Sequence, residues 1–163
     1  MVLARTDAPG FTVTSAEQHS FAHPTSIGPL LLDGGYVLVN AELDGTPFQF
    51  VSTHLDPYHT PMQPLQAEEI LGELGMTAEP QIVVGDFNAN PTELTYAEML
   101  AAGLTDVAAA LGVVGPTCCQ APDLDNPVSQ LTNRYDYVFE RGFSSIDSAL
   151  LVGNTPFENV RPL

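Results

Sequence analysis

Asp86 and Asn88 stand two residues apart where the apolar run Gln81-Ile82-Val83-Val84-Gly85 gives out, with Asn90-Pro91 following. In an extended turn, residues two apart face the same side. One then offers negative charge to a hard cation, and the other a neutral oxygen and amide donors to a phosphate or a water. A plainer reading stands beside this one: Asp86 and Asn88 shape a turn, and Asn90 caps a helix. Two further residues occupy comparable positions. His54 lies where the strand-like run Phe48-Gln49-Phe50-Val51-Ser52-Thr53 ends, and Asp136 sits between Tyr135 and Tyr137 in another such run.

Positioning these side chains requires strands that stop where they stand. Gln81 to Val84 reads as a buried strand, and Pro91 as the opening of a helix. That puts polar groups at the carboxyl edge of a sheet, where the backbone leaves it and side chains can converge on a ligand. Upstream, Tyr36 to Leu43 and Phe48 to Leu55 flank Asp44-Gly45, a hairpin signal. Phe48 and Phe50 alternate with Gln49 and Val51, so the two pairs face opposite sides. Leu65 to Leu74 has an apolar stripe of Leu65, Ile70, Leu71 and Leu74 against Glu68, Glu69 and Glu73, and Gly75 fits its end.

Strand, helix and strand in succession imply an α/β arrangement. A second helix is expected from near Pro91 or Thr92 to Ala102, with Leu94, Met99 and Leu100 apolar and Gly103 as its stop, and Asp106 opens a short one through Leu111. Residues 112–134 read as a long loop, and Ile146 to Val152 as a final strand. Residues 1–35 read as irregular apart from a strand at Phe11 to Thr14, which leaves His19 and His23 in loops. Neither a repeat nor a linker divides the chain, so 1–163 is read as a single domain.

Charge narrows the partners. The 163 residues hold 20 Asp plus Glu against four arginines and no lysine, a formal net charge of −16. Such a surface repels a phosphate backbone, so duplex nucleic acid is disfavoured, and any phosphate chemistry must lean on metal ions. No apolar run has the eighteen or so residues that cross a bilayer. Met1 to Asp7 lacks the basic start and apolar stretch of a secretory signal, which leaves the compartment unassigned. Cys118 and Cys119 are expected as small buried apolar side chains, because adjacent cysteines seldom bridge.

Thr53-His54-Leu55-Asp56, Gly85-Asp86-Phe87-Asn88 and Arg134-Tyr135-Asp136-Tyr137-Val138 follow one another in order, with Gln66 and Glu69 in the intervening helix and Gly115-Pro116-Thr117 before the last. In this the chain resembles the endonuclease/exonuclease/phosphatase superfamily of metal-dependent phosphoesterases, over about 36–152. Thr117-Cys118-Cys119-Gln120 through Asn126-Pro127 resembles a bacterial branch. The resemblance implies a partial α/β/β/α four-layer sandwich of mixed, mostly antiparallel sheets. It also implies hydrolysis of a phosphodiester or phosphomonoester by activated water, with Mg²⁺ (or Mn²⁺ or Ca²⁺). His54 would be a general acid or electrostatic stabiliser. Asp86 would orient or deprotonate the water, Asn88 would hold the phosphoryl group, and both would serve as metal ligands. Asp136 would fix the tautomer of a partner histidine, or else be a buried acid satisfied by local backbone. The substrate would be a small-molecule, lipid or nucleotide phosphoester.

Two departures qualify this. The early asparagine and metal-binding glutamate of the superfamily have no counterpart, Glu17 and Glu42 being in the wrong settings. The closing Ser-Asp-His triplet is also lacking, since the chain ends at Arg161-Pro162-Leu163. The expectation is therefore an incomplete domain. Its alternative function is that of a non-catalytic remnant, an interaction domain whose exposed sheet edges are covered by a partner chain.

Overall fold

The computed structural model describes residues 2–5, 7–75, 77–122 and 128–153. The chain runs β1 (Phe11–Ser20), β2 (Thr25–Ile27), β3 (Leu30–Leu32), β4 (Gly35–Leu43), β5 (Thr46–His54), α1 (Met62–Leu74), β6 (Gln81–Asp86), α2 (Leu94–Ala101), β7 (Thr105–Asp106), α3 (Val107–Ala110) and β8 (Asp136–Arg141). Six strands make one sheet in the order β1-β4-β5-β6-β8-β7, while β2 and β3 pair separately. Only β5 and β6 are parallel neighbours in it, because α1 returns the chain to the end at which β5 began. The β4–β5 hairpin turns on Asp44 and Gly45, at φ 50° and 78°, the positive values its two-residue loop requires. The architecture is thus α/β with a mixed, mostly antiparallel sheet. Of the four layers implied by the resemblance, the described residues supply one helix layer and one sheet.

One face of the sheet forms the core. Leu38, Val51, Val83 and Phe139 share a row across β4, β5, β6 and β8, and all are buried beneath Ala67, Ile70 and Leu74 of α1 and Met99 of α2. Burying each such side chain stabilises the fold by about 1.5–3 kcal/mol. A second row on this face is polar. Asn40 Nδ2 donates to Ser15 Oγ (2.8 Å), Gln49 Nε2 to Asn40 Oδ1 (3.1 Å), Gln81 Nε2 to Gln49 Oε1 (2.8 Å) and Arg141 Nε to Gln81 Oε1 (2.8 Å). Arg141 also donates to Gly75 O and Ala102 O, and Gln81 to Leu74 O. The orphan carbonyls at the ends of α1 and α2 are thereby satisfied by the strands beneath them. A one-residue slip would turn this whole row to the other face, so it also fixes register.

The opposite face is apolar and only partly covered. It carries Val39 and Ala41 on β4, Phe48 and Phe50 on β5, and Val84 and Val138 on β6 and β8. Val138 is 45% exposed, and residues near the amino terminus leave a cavity of about 330 Å³ over Phe48 and Phe50. Among the described residues, no helix is long and apolar enough to cross a membrane.

Several expected elements differ. β1 extends to Ser20, so His19 lies on a strand and stacks on Tyr36 with ring centroids 4.9 Å apart. α1 begins at Met62, Pro64 being tolerated in a first turn whose N–H groups lack helical partners. In α2 the buried residues are Thr95 and Met99, whereas Leu94 and Leu100 face solvent. Residues 146–152 form no strand: an apolar run becomes a strand only by pairing with a ladder, and residues 148–152 instead border a cavity with Gly115 and Val138. Cys118 is half-buried and Cys119 exposed, contrary to the expectation of two buried side chains. Asn126-Pro127 and Arg161-Pro162-Leu163 lie outside the described residues.

Gly85 is the position where this packing tolerates least. At φ 151°, a Cβ there would sit 2.1 Å from the Thr53 carbonyl oxygen of β5. Gly85→Ala should cost roughly 1–3 kcal/mol by overpacking and push β5 from β6 beside Asp86. The denaturant midpoint should fall accordingly, and an unchanged midpoint would refute the close approach.

Candidate active site

His54 is the last residue of β5, Asp86 the last of β6 and Asp136 the first of β8. The register sets His54 beside Asp86 and Asp86 beside Asp136. In the adjoining row Thr53 and Tyr137 are buried against the helix layer, so strand alternation turns His54, Asp86 and Asp136 to the open face. Three residues 32 and 50 positions apart in sequence thus become one row of neighbours, about 4.5–5.5 Å apart at the backbone.

Asp86 is the most constrained of the three. Its Oδ1 accepts the Asn88 N–H at 2.8 Å, closing a tight turn in which Asn88 takes φ 49°, a left-handed conformation that asparagine tolerates. Its Oδ2 lies 3.8 Å from His54 Nε2, with the Asp86 side chain 30% and the His54 side chain 64% exposed. Burial pushes the Asp86 carboxyl above the ordinary carboxylate range and the Asp136 charge adds to this, outweighing the Asn88 N–H and His54, which act the other way. Asn88 donates from Nδ2 to Leu55 O at 2.9 Å. One amide hydrogen is therefore engaged in tying the two turns together, while Oδ1, an acceptor, has no such tie.

Asp136 is exposed, so the reading of a buried acid satisfied by local backbone does not hold. Among the described residues no imidazole stands behind it, for the four histidines pair with Glu17, Glu69, Asp86 and Asp56. Its neighbour is Asp86, a second carboxylate. Thr117 Oγ1 accepts both the Tyr135 and the Asp136 N–H at 3.0 Å and fixes the start of β8.

The loops behind the row are held by residues whose partners the sequence did not reveal. Asn90 does not cap α2; its Oδ1 accepts the Arg134 N–H at 3.1 Å. The Tyr137 hydroxyl lies between Ala89 O (2.8 Å) and Arg134 O (2.7 Å). Arg134, stacked over Tyr137 at 4.6 Å, makes a bidentate pair with buried Asp106, both contacts 2.7 Å. Asp56 accepts from Thr25 Oγ1 (2.6 Å) and from the Tyr58 and His59 N–H groups. Burial pushes its carboxyl up, but these donors prevail and hold it below the ordinary range. The available signal was polarity at buried helix and loop positions, which periodicity alone assigns to the surface.

Two hard-oxygen donors, the Asp86 carboxylate and Asn88 Oδ1, suit a cation that keeps its waters, as Mg²⁺ does. Among the described residues no cluster of three His, Cys, Asp or Glu side chains could enclose a metal ion. Arg134 and Arg141 are engaged with the partners above and Arg5 pairs with Asp7, so His54 is the one basic group in the row.

Similarity to solved structures supports the same fold. The human nocturnin catalytic domain with bound sulfate superposes with a TM-score of 0.59 at 22% identity, covering 80% of this chain and 48% of that one. A mannosyl-6-phosphatase of Bacteroides thetaiotaomicron gives 0.62 at 22%, covering 83% and 54%. D. rerio TDP2 complexed with a single-strand DNA product gives 0.55 at 16%, covering 80% and 50%. The chain therefore spans about half the length of these solved relatives. No curated protein matches its sequence at a significant level. The endonuclease/exonuclease/phosphatase family model matches residues 2–156, nearly the whole chain, and the protein belongs to that family.

Proposed function

We propose that the chain carries the phosphoryl-facing residues of a divalent-metal-dependent phosphoesterase that cleaves a phosphodiester or phosphomonoester with an activated water. The observation that carries this reading is the row His54, Asp86, Asp136 on the open face. Asp86 is the base: it stands at the centre of the row, a carboxylate turned to the open face where a water can reach it. His54, exposed and beside it, donates a hydrogen bond or a proton to a phosphoryl or leaving-group oxygen. Asp136 acts through Asp86, whose proton affinity it raises. Two adjoining carboxylates repel a phosphate, so a counter-charge is needed. Mg²⁺ (or Mn²⁺ or Ca²⁺) held by Asp86 and Asn88 would supply it and polarise the phosphoryl group.

The substrate class is a small-molecule, lipid or nucleotide phosphoester rather than duplex nucleic acid, given the net charge of −16. A mannosyl-6-phosphatase and a protein complexed with a single-strand DNA product share the fold, in keeping with phosphoester chemistry. A second reading, an interaction domain, is favoured by the apolar face around Phe48, Phe50, Val84 and Val138, which a partner chain would cover.

Release of phosphate or alcohol from phosphomonoester and phosphodiester substrates, titrated with Mg²⁺ and Mn²⁺, separates the two. Turnover above background supports the enzyme, and none at any metal concentration leaves the interaction domain. A titration of the metal-free chain tests the pairing of carboxylates. The Asp86 carboxyl should titrate above the ordinary carboxylate range, read from its side-chain NMR shift. Asp136→Asn removes the like charge and should move that midpoint to lower pH. A midpoint that stays put or moves upward would show that the two carboxylates are uncoupled.

A further inference from the structure

Gln63 lies in the first turn of α1 and is buried, 4% exposed, on the side that faces the sheet. Its Nε2 donates to two backbone carbonyls at once: Asp56 O at 2.9 Å and Asn88 O at 3.0 Å. Asp56 follows His54 by two residues, and Asn88 follows Asp86 by two. A single side-chain amide therefore grips both turns, each just past a residue of the row. Its neighbour one helical turn on, Gln66, behaves differently. Gln66 accepts the Asp56 N–H at 2.8 Å and donates to His23 O at 2.9 Å, so it holds the His54 turn but not the Asp86 turn.

Three further facts give Gln63 its importance. The direct contact of the row is long, 3.8 Å between His54 Nε2 and Asp86 Oδ2, so the separation of the two side chains must be set by what lies behind them. Behind them the turns are joined by Leu55 N–H to Asp86 O (2.9 Å), Asn88 Nδ2 to Leu55 O (2.9 Å) and the two Gln63 bonds. The Oε1 of Gln63, finally, is buried with no hydrogen-bond partner. A buried acceptor left unpaired opposes folding, and an apolar side chain of the same length would avoid that cost. What such a side chain could not do is donate to two carbonyls.

We infer that Gln63 is a positioning residue, whose amide locks the His54 turn to the Asp86–Asn88 turn and so sets the spacing of the reacting groups. The kinetic consequence rests on the phosphoesterase reading, while the structural one does not. With the donor gone, the two turns move independently and the groups of the row are misplaced by a fraction of an ångström to an ångström, a change that lowers catalysis about tenfold to a hundredfold. Substrate binding, governed by other contacts, changes little.

Two substitutions test this. Gln63→Met keeps length and helix propensity and removes the donor; Gln63→Glu keeps the shape and faces the carbonyls with an acceptor. Backbone amide exchange is followed at Leu55 and Asn88, in the turns, and at Val83 and Phe139, in the middle of the sheet. In Gln63→Met the Leu55 and Asn88 amides should exchange about tenfold faster or more, with Val83 and Phe139 unchanged, as for a local opening. kcat should fall by the factor above with KM within about twofold. Gln63→Glu should be as impaired as Gln63→Met, and if it fails to fold, Gln63→Met alone decides. Exchange that quickens equally at all four amides, or at none, overturns the positioning role. If the wild-type chain shows no turnover, the phosphoesterase reading falls, and the exchange pattern still decides for or against Gln63.

Discussion

On the phosphoesterase reading proposed above, turnover should fall by about a hundred- to ten-thousand-fold in Asp86→Asn and in His54→Ala, the usual cost of removing a general base or acid. The two losses should not multiply in the double variant, because groups that act as a unit fail together. Stability should move the other way in Asp86→Asn. A carboxyl whose folded proton affinity is raised favours the folded state only while it is protonated, and that advantage is lost as pH rises through its folded value. At neutral pH the charged Asp86, pressed by burial and by Asp136, opposes folding. Asn at this position retains an oxygen for the Asn88 N–H and carries no charge, so the thermal midpoint should hold or rise while activity collapses. A midpoint that drops with activity would mean that Asp86 is a structural turn residue, the plainer reading with which it began.

Arg134→Ala is expected to be the most destabilising single change. It leaves Asp106, 3% exposed, without its bidentate partner and strips the guanidinium from the Tyr137 ring. Removing one member of a buried pair costs about 3–5 kcal/mol. At 2–4 °C per kcal/mol for a domain of about this size, the unfolding temperature should fall by roughly 6–20 °C. Burial pushes the Asp106 carboxyl up, but Arg134, the Ala109 N–H and Tyr96 outweigh it and hold the carboxyl below its ordinary value. With a depressed folded value, the pair stabilises above the unfolded pKa near 3.9, and this is lost as pH falls through the folded value. The gap between wild type and Arg134→Ala should therefore narrow on acidification below about pH 4. Arg134→Met combined with Asp106→Asn should recover part of the loss, since no charge is then stranded and Asn can still accept from the Ala108 and Ala109 N–H groups. Thermal melts across pH measure all three, and a gap that is constant with pH would place the loss in packing.

Parts of this molecule follow from local chemistry, and those were legible. The Asp44-Gly45 hairpin is dictated by two positive φ values, and α3 by the Asp106 carboxylate accepting from Ala108 and Ala109 N–H. The termination of β5 at His54 and of β6 at Asp86 follows from apolar alternation giving way to polar turn residues. Alternation even separated the faces of β5 correctly, with Gln49 and Val51 toward the helices and Phe48 and Phe50 away from them. A strand at 146–152 was suggested by the same local signal and failed, because an apolar run becomes a strand only by pairing with a distant ladder, which local sequence does not specify.

By itself, then, the sequence determined which strands end in polar side chains: His54, Asp86, Asn88 and Asp136 each sit at a strand terminus or in the turn just beyond one, a property of the residues on either side. Tertiary structure decided which of them meet. Register set Asp136 beside Asp86 rather than beside an imidazole, and pairing across β5, β6 and β8 is a contact between segments distant in the chain. It decided, too, the use of the buried polar side chains. Nothing local to Gln63, Asn90 or Arg134 names their partners, and only the packed turns supply the carbonyls, the amide and the carboxylate that they meet.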